Sequence, residues 1–436
     1  MSPFAAFALR PGAVTALLLG SAALATSELP ASAADLGGDC CADLEERIGE
    51  LEATAARKGT RKTSLEIFGQ INTAVLIWDD GVNRDAYVVD NDFNSIRLGF
   101  RGTSKLSPGW KAGYLLEFET NHAASDAVNQ NDASGPVSRQ LDLRYSHFTI
   151  ESETLGKLTM GQTSSVTDNL YKYGNISGSF SDSELHYNGQ FFLRRSGAGG
   201  TSTTLRWDTI ANNLDTSRGN FVRYDTPSLA GFIASAAWGE DDMWDVSLRY
   251  SGEACGFKIA AAVGYVEDMD GAVDRFDDEP NDLIASIGIQ HLESGLYVYS
   301  GAGRRESDVR PGFDDTAQYY YVQAGIETKL ISLGKTTIFA DYGHYSDWGA
   351  GTAFDSDVAT PDAAAANDAT VLDSKVERWG FGATQKVDNA ALEIYGVFNW
   401  YEADVIAAGV AGGLGPAFAL PVEDWWSTTL GSRIKF

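Results

Sequence analysis

The sequence predicts an all-β fold: a 16-stranded antiparallel transmembrane β-barrel, and three observations indicate it. Stretches of roughly ten residues alternate apolar with polar or small side chains, as strands do when they face lipid on one side and a lumen on the other. Tight turns alternate along the chain with longer, acidic loops rich in Gly and Asp. A leader with the pattern of a secretion signal precedes the first of these stretches.

The leader occupies residues 1–33. Arg10 precedes an apolar run from Ala13 to Ala25, which is too short to cross a membrane as a helix. Ala31-Ser32-Ala33 supplies the small-x-small pattern of a signal-peptidase site. A buried apolar helix is the alternative, which the polar sequence after the run disfavours. We therefore expect the protein to be exported.

Composition excludes several classes of protein. The formal net charge of −27 would repel nucleic-acid phosphates, so we expect no nucleic acid as a partner. Three cysteines in an exported chain are too few for a disulfide framework. The longest apolar stretch after the leader, Ile406 to Leu420, contains four glycines and Pro416, and it predicts a loop instead of a spanning helix.

The alternation continues from residue 63 to residue 436, which we predict to be the barrel. In its last strand Trp426, Leu430 and Ile434 share one parity, and Phe436 continues it. A soluble β-sandwich is the alternative, but it has no reason to end on an aromatic residue at full strand length. The predicted strands are 65–78, 93–105, 110–120, 138–151, 157–162, 218–227, 231–239, 243–250, 257–266, 282–291, 296–305, 317–328, 335–345, 375–387, 390–401 and 423–436.

The strand count bears on function. Barrels of 16 to 18 strands leave an aqueous channel, whereas eight-stranded barrels fill their interior with side chains. An even count also places both ends of the barrel on the side of the tight turns, which is the periplasmic side in single-chain barrels. The sequence therefore predicts a conducting pore for small hydrophilic solutes.

Residues 34–62 precede the barrel and predict a short periplasmic segment. Cys41, Leu44, Ile48, Leu51 and Ala55 follow the 3-4-3-4 spacing of a coiled coil over two heptads. A solitary amphipathic turn or a flexible leader is the alternative. If the barrel is a homotrimer, three copies of this segment would meet as a small bundle.

Several runs resemble the alphaproteobacterial, rhizobial-type outer-membrane porin family. They are residues 39–48, DCCADLEERI, residues 68–70, FGQ, residues 78–81, WDDG, and residues 97–102, RLGFRG. Residues 158–162, LTMGQ, are similar to the strand that leads into the third loop of porins generally. The resemblance implies a trimeric, sixteen-stranded general-diffusion channel in the outer membrane of a Gram-negative bacterium, with the third loop folded into the pore.

About 55 residues separate Gln162 from Arg218, and so long a connection in a compact fold is usually functional. Its aromatic residues can pack against the inner wall and narrow the channel, although a loop projecting outside the cell is the alternative. Opposed charges at such a constriction tune ion preference. By strand parity and loop membership we expect a basic wall of Arg97, Arg101, Arg144 and Arg223, facing Asp168, Asp182 and Glu184 on the third loop. A solvated rim charge is the alternative for each of them.

Tryptophans near the predicted strand ends suggest a membrane-interface girdle. They are Trp78, Trp110, Trp244, Trp348, Trp379, Trp400 and Trp425. Saccharide stacking inside the pore is the alternative interpretation.

The sequence gives no reason to expect an enzyme. The five histidines form no recognisable motif with a serine, and no metal-ligand spacing appears, so we expect no catalytic residue, cofactor or metal. The expected partners are outer-membrane lipid and lipopolysaccharide, the small solutes, and the outer-membrane assembly machinery, for which Phe436 would be the signal. A substrate-selective channel for sugars or anions is the alternative function.

Overall fold

The computed structural model shows a closed antiparallel barrel of sixteen strands, as the sequence predicts. It describes residues 62–120, 122–135, 141–185, 188–197, 201–216, 218–239, 242–268, 281–307, 313–358, 367–410 and 414–436. The predicted signal peptide and coiled-coil segment lie outside these residues, apart from residue 62. The wall strands are β1 Glu66–Asp79, β2 Arg97–Ser107, β3 Trp110–Thr120, β4 Leu141–Ser152, β5 Gly156–Ser164, β6 Arg218–Asp225, β7 Phe232–Gly239, β8 Met243–Ala254, β9 Phe257–Asp268, β10 Asn281–His291, β11 Leu296–Glu306, β12 Thr316–Ile331, β13 Gly334–Ser346, β14 Ala369–Val387, β15 Leu392–Gly409 and β16 Trp425–Lys435.

The first and last strands close the cylinder. β1 pairs antiparallel with β16 from Gln70↔Lys435 to Asp79↔Trp426, and with β2 from Glu66↔Arg101 to Gln70↔Arg97. Because every wall strand pairs with the next, each strand satisfies its backbone groups on both sides, as a lipid environment requires. We call the end of the barrel with the tight turns the turn end, and the opposite end the loop end.

Side chains alternate between the two faces of this wall. On β1, Ile67, Ile71 and Val75 are exposed on the outer face, while Asn72 and Leu76 are buried on the inner face. The same period of two places apolar residues outward on the other wall strands, which gives the barrel the apolar outer band of a membrane protein. In the described part of the chain, no helix combines the length and hydrophobicity needed to cross a bilayer.

The prediction of a loop from Ile406 to Leu420 is wrong in part. β15 continues to Gly409, and the short strand Ala417–Leu420 pairs back onto it. Val405 and Ala407 are almost fully buried in the same hydrophobic cluster as residues of the third loop. The apolar character of this stretch therefore reflects packing at the loop end instead of an exposed connection.

The predicted tryptophan girdle is also wrong in part. Trp110 and Trp379 are exposed on the outer face, but Trp78, Trp348 and Trp425 are only 2%, 5% and 1% exposed. Trp78 and Trp425 stand at inward positions of β1 and β16, because they share parity with the buried Asn72 and Ser427. These two rings therefore belong to the lumen and not to the membrane interface.

Candidate channel and constriction

The third loop, residues 165–217, enters the barrel directly after β5 and lies along the inner wall. Thr167 donates from its backbone N and from Oγ1 to Asp245 Oδ2 of β8, at 2.8 and 2.6 Å. Ser286 of β10 donates to the carbonyl of Leu170 at 2.6 Å. Tyr299 of β11 donates to the carbonyl of Tyr171 at 2.7 Å. These contacts with successive strands show that the loop follows the circumference of the barrel.

The following residues continue this path to β14. Ser179 Oγ donates to Gln323 Oε1 of β12 at 2.7 Å, and Ser181 Oγ donates to Asp341 Oδ2 of β13 at 2.8 Å. Arg378 of β14 donates through Nη1 to the carbonyl of Asp182 and through Nη2 to Ser181 Oγ, both at 2.6 Å. Charged partners make such hydrogen bonds stronger than neutral ones. The loop is therefore held to β8–β14, which leaves the inner face of β2–β6 as the opposite wall.

Two glycines allow the loop to approach the wall so closely. A Cβ added to Gly288 of β10 would lie 1.8 Å from the carbonyl oxygen of Gly174, a distance that no side chain tolerates. On the loop side, a Cβ added to Gly174 would lie 2.5 Å from the backbone carbon of Ile287. The backbone of the loop thus rests directly on the backbone of β10.

The second half of the loop returns to the loop end of the barrel through aromatic packing. The Phe191 ring lies 5.1 Å from both Trp78 and Trp425, and the Trp207 ring lies 6.0 Å from Trp425. Burying a large apolar side chain stabilises a fold by about 1.5–3 kcal/mol. Because these rings are anchored inside the barrel, the alternative of a loop projecting outside the cell is rejected.

Two of the predicted basic residues, Arg97 and Arg144, lie together on the inner wall of β2 and β4. Arg144 pairs with Glu119 and donates to Glu117 Oε1 at 3.1 Å. Arg97 donates to Ser95 Oγ at 3.0 Å, and Ser95 in turn donates to Glu119 Oε2 at 2.8 Å. The two arginines are thus linked through Ser95 and Glu119, and Glu117 contacts Arg144 alone. Neither carboxylate was among the residues predicted from the sequence.

The other two basic residues lie nearer the turn end. Arg101 pairs with Glu66, the first residue of β1, at 2.5 Å. Arg223 donates to the carbonyl of Ser165, at the start of the third loop, at 3.0 Å and pairs with Asp225 at 2.9 Å. Arg249 of β8 joins this pair at 2.6 Å from Asp225, and the parity rule that selected Arg223 could have found it.

Of the acidic residues, Asp168 and Glu184 accept hydrogen bonds within the loop itself. Asp168 Oδ1 accepts from Asn169 Nδ2 at 2.7 Å, and Glu184 Oε2 accepts from the hydroxyl of Tyr171 at 2.5 Å. Asp215, which the sequence analysis missed, accepts from the backbone N of Asn169 at 2.9 Å. Burial and the nearby carboxylates Glu184 and Asp168 raise the pKa of Asp215 above its usual range.

Asp182 occupies a different place from the other acidic residues. Its side chain is only 1% exposed, and Oδ1 accepts from the backbone N of Glu184 at 3.0 Å. Burial raises the pKa of Asp182 to about 6. Asp182 is thus packed between the loop and the wall, beside Arg378, instead of lining open lumen.

Among the described residues, no group of three or more His, Cys, Asp or Glu side chains could hold a metal ion.

A closed sixteen-stranded barrel with an apolar outer face, a polar inner wall and a loop folded inside defines an outer-membrane diffusion channel. The family model for Gram-negative porins matches residues 13–405, and the chain belongs to that family. It therefore forms an aqueous channel in the outer membrane of a Gram-negative bacterium, for passive diffusion of small hydrophilic solutes and ions. The turn end faces the periplasm and the loop end faces the outside of the cell.

Solved structures show the same fold. The chain is similar to the anion-selective porin from Comamonas acidovorans, with 16% identity and a TM-score of 0.53 over 86% of this chain and 100% of that one. It is also similar to OmpT, an outer membrane protein of Vibrio cholerae, with 12% identity and a TM-score of 0.53 over 88% and 100%. No curated protein sequence matches the chain. At these identities the likeness concerns the fold alone.

Proposed function

We propose that this porin is a general-diffusion channel whose selectivity is set between the third loop and the basic wall. The observation that carries the proposal is the attachment of the loop to β8–β14. We propose that Asp168 and Glu184 on the loop then face Arg97 and Arg144 on β2–β4 across the water path. Opposite charges across a narrow water path create a transverse field, which favours polar solutes over apolar ones. A channel selective for sugars or anions is the second candidate.

The assembly we propose is a homotrimer of the rhizobial type. The resemblance of residues 39–48 to the rhizobial-type family supports both the trimer and the family type. The predicted bundle of residues 34–62 would lie below the barrels. Outer-membrane lipid and lipopolysaccharide are the proposed surroundings. The outward-facing Lys375, paired with Glu377 at 2.7 Å toward the loop end of β14, carries the positive charge that would meet phosphorylated head groups.

We propose diffusion and not catalysis as the activity. His291 Nδ1 lies 2.9 Å from Ser294 Oγ, a serine–histidine contact that the sequence analysis missed. This pair lies on the tight turn between β10 and β11, where Ser294 Oγ also accepts from the backbone N of Leu296 at 3.2 Å. The contact thus has a structural role in the turn. A lipase assay on the folded protein tests this directly, and sustained hydrolysis would overturn it.

The channel function is tested by adding the purified, folded protein to planar lipid bilayers. We expect stepwise increases in current, and closures in three equal levels if the unit is a trimer. A protein that is folded by circular dichroism but gives no conductance would overturn the proposed function. Closures in a single level would overturn the trimer alone.

Replacing Arg97 and Arg101 by glutamine is expected to raise the cation preference of the channel. A unit charge about 8 Å away in water changes the Boltzmann weight of a monovalent ion by about twofold, so the effect should reach a few fold for the pair. The measurement is the reversal potential in a KCl gradient. An outer-face substitution, Lys375→Gln, removes a charge outside the lumen and serves as the control. Unchanged selectivity in the arginine variant would remove both residues from the constriction.

A further inference from the structure

A cluster of cations, which includes Arg223, lies near the periplasmic ends of β5, β6 and β8. This first basic cluster consists of Lys157, Arg223 and Arg249, and all three surround Asp225. Arg223 and Arg249 reach Asp225 Oδ1 at 2.9 and 2.6 Å, and Lys157 is the cross-strand partner of Asp225. Lys157 also lies opposite Glu151 of β4, which pairs with Lys111 at 3.0 Å. Four cations around two carboxylates leave an excess of positive charge at this part of the wall.

A second basic cluster lies near the periplasmic ends of β13, β14 and β16. It consists of Lys335, Lys386, Arg433 and Lys435, which share the carboxylates of Glu327 and Glu393. Glu327 accepts from Lys335 at 3.2 Å and from Lys386 at 3.1 Å. Glu393 pairs with Arg433 and lies 3.6 Å from Lys435. The side chains of Lys335 and Lys435 are 58% and 50% exposed, so their charge is open to water.

The two clusters face each other across the lumen. In a closed barrel of sixteen strands, β5 and β13 are eight strands apart and therefore on opposite sides. Lys157 is the second residue of β5 and Lys335 is the second residue of β13, so both lie just above a periplasmic turn. The periplasmic part of the lumen is thus basic on two opposite walls, although the whole chain carries a net charge of −27.

The first half of the third loop passes directly above the second cluster. The guanidinium of Arg433 lies 4.7 Å from the centroid of the Phe180 ring on the loop. A Cβ added to Gly178, also on the loop, would lie 3.0 Å from Lys386 Nζ. A solute that passes the constriction therefore meets this cluster immediately on its periplasmic side.

We infer that the two basic clusters form a vestibule that collects small anions, such as inorganic phosphate and short carboxylates, on the periplasmic side of the third loop. The inference rests on the proposed channel function and names a solute class for it. A transverse field between opposite charges orients a solute, and its effects on anions and cations partly cancel between the two walls. Like charges on facing walls act in the same direction, because both raise the local concentration of anions and lower that of cations. The low-dielectric barrel wall confines this potential to the water path.

The test removes the two exposed lysines while leaving each carboxylate one partner. In Lys335→Gln with Lys435→Gln, Glu327 keeps Lys386 and Glu393 keeps Arg433. In planar bilayers at 0.1 M KCl, the chloride-to-potassium permeability ratio should fall about fourfold, because each of the two charges contributes a factor of about two. The difference should shrink at 1 M salt, where the Debye length is about 3 Å. When inorganic phosphate replaces chloride, the phosphate-to-potassium permeability ratio of the double lysine variant should fall by a similar factor.

A matched control removes two cations from the outer face. Arg304 and Lys375 pair with Glu306 and Glu377 at 2.7 Å and are 54% and 42% exposed. Replacing both by glutamine should leave the permeability ratio unchanged. An equal fall in this control would overturn the vestibule, because net charge alone would then explain the effect. A conducting lysine variant with an unchanged ratio would also overturn it, whereas the absence of any conductance in the wild type would instead overturn the channel function.

Discussion

Replacing Arg378 by methionine is expected to free the third loop from β14, to raise the single-channel conductance and to make the current noisy. The guanidinium of Arg378 holds Ser181 Oγ and the carbonyl of Asp182 at 2.6 Å, and it also donates to Asn399 Oδ1 at 3.0 Å. Methionine fills a similar volume but cannot donate any of these bonds. The segment of the loop next to the constriction would then lose its charged anchor.

A second substitution keeps this test interpretable. Asp341 lies 3.6 Å from Arg378 and is fully buried, and stranding one member of a buried ion pair destabilises a protein by about 3–5 kcal/mol. Asp341→Asn removes the stranded charge and still offers Ser181 an acceptor. The double variant, checked by thermal unfolding, should fold and show the raised conductance. Wild-type conductance and noise in the folded double variant would contradict the proposal that Arg378 positions the loop.

The strands could be predicted from the sequence because lipid and lumen impose opposite requirements on adjacent residues. The length and aromatic content of the third loop predicted its place inside the barrel, because its aromatic side chains can pack against the inner wall. The partners of the loop could not be predicted. Arg378 and Ser181 are 197 residues apart, and parity places Arg378 inward without indicating which loop residue it meets.

The tryptophans show where a signal was present and was missed. Trp78 and Trp425 lie near strand ends, which suggested the membrane interface, but their parity is that of inward positions. Leu76 shares that parity with Trp78 and is fully buried. Apolar residues at inward positions of a polar lumen indicate a surface that another segment covers, and here the third loop covers it. Parity would also have found Arg249 and Lys335, both of which face inward near the periplasmic end.

Replacing Phe436 by alanine is expected to lower the amount of barrel in the outer membrane far more than it lowers stability. The backbone of Phe436 exchanges two hydrogen bonds with Gly69, at 2.9 and 3.0 Å, and alanine preserves both. The ring covers Gly69, where an added Cβ would lie 2.6 Å from Phe436 Cζ. Because the ring is 62% exposed, its loss should reduce the free energy of unfolding by only about 1 kcal/mol.

Two measurements separate recognition of Phe436 from its packing at the seam between β1 and β16. The first compares outer-membrane fractions of cells that express the variant, and the second follows refolding of the purified chain into lipid vesicles without any assembly factor. Phe257→Ala is the matched control, since Phe257 is also an outward aromatic at a periplasmic strand end, 41% exposed. A loss in cells with normal refolding, and a normal control, would support Phe436 as the assembly signal. Equal defects in both measurements would show instead that the ring acts by closing the barrel, because refolding in vesicles depends on strand pairing alone.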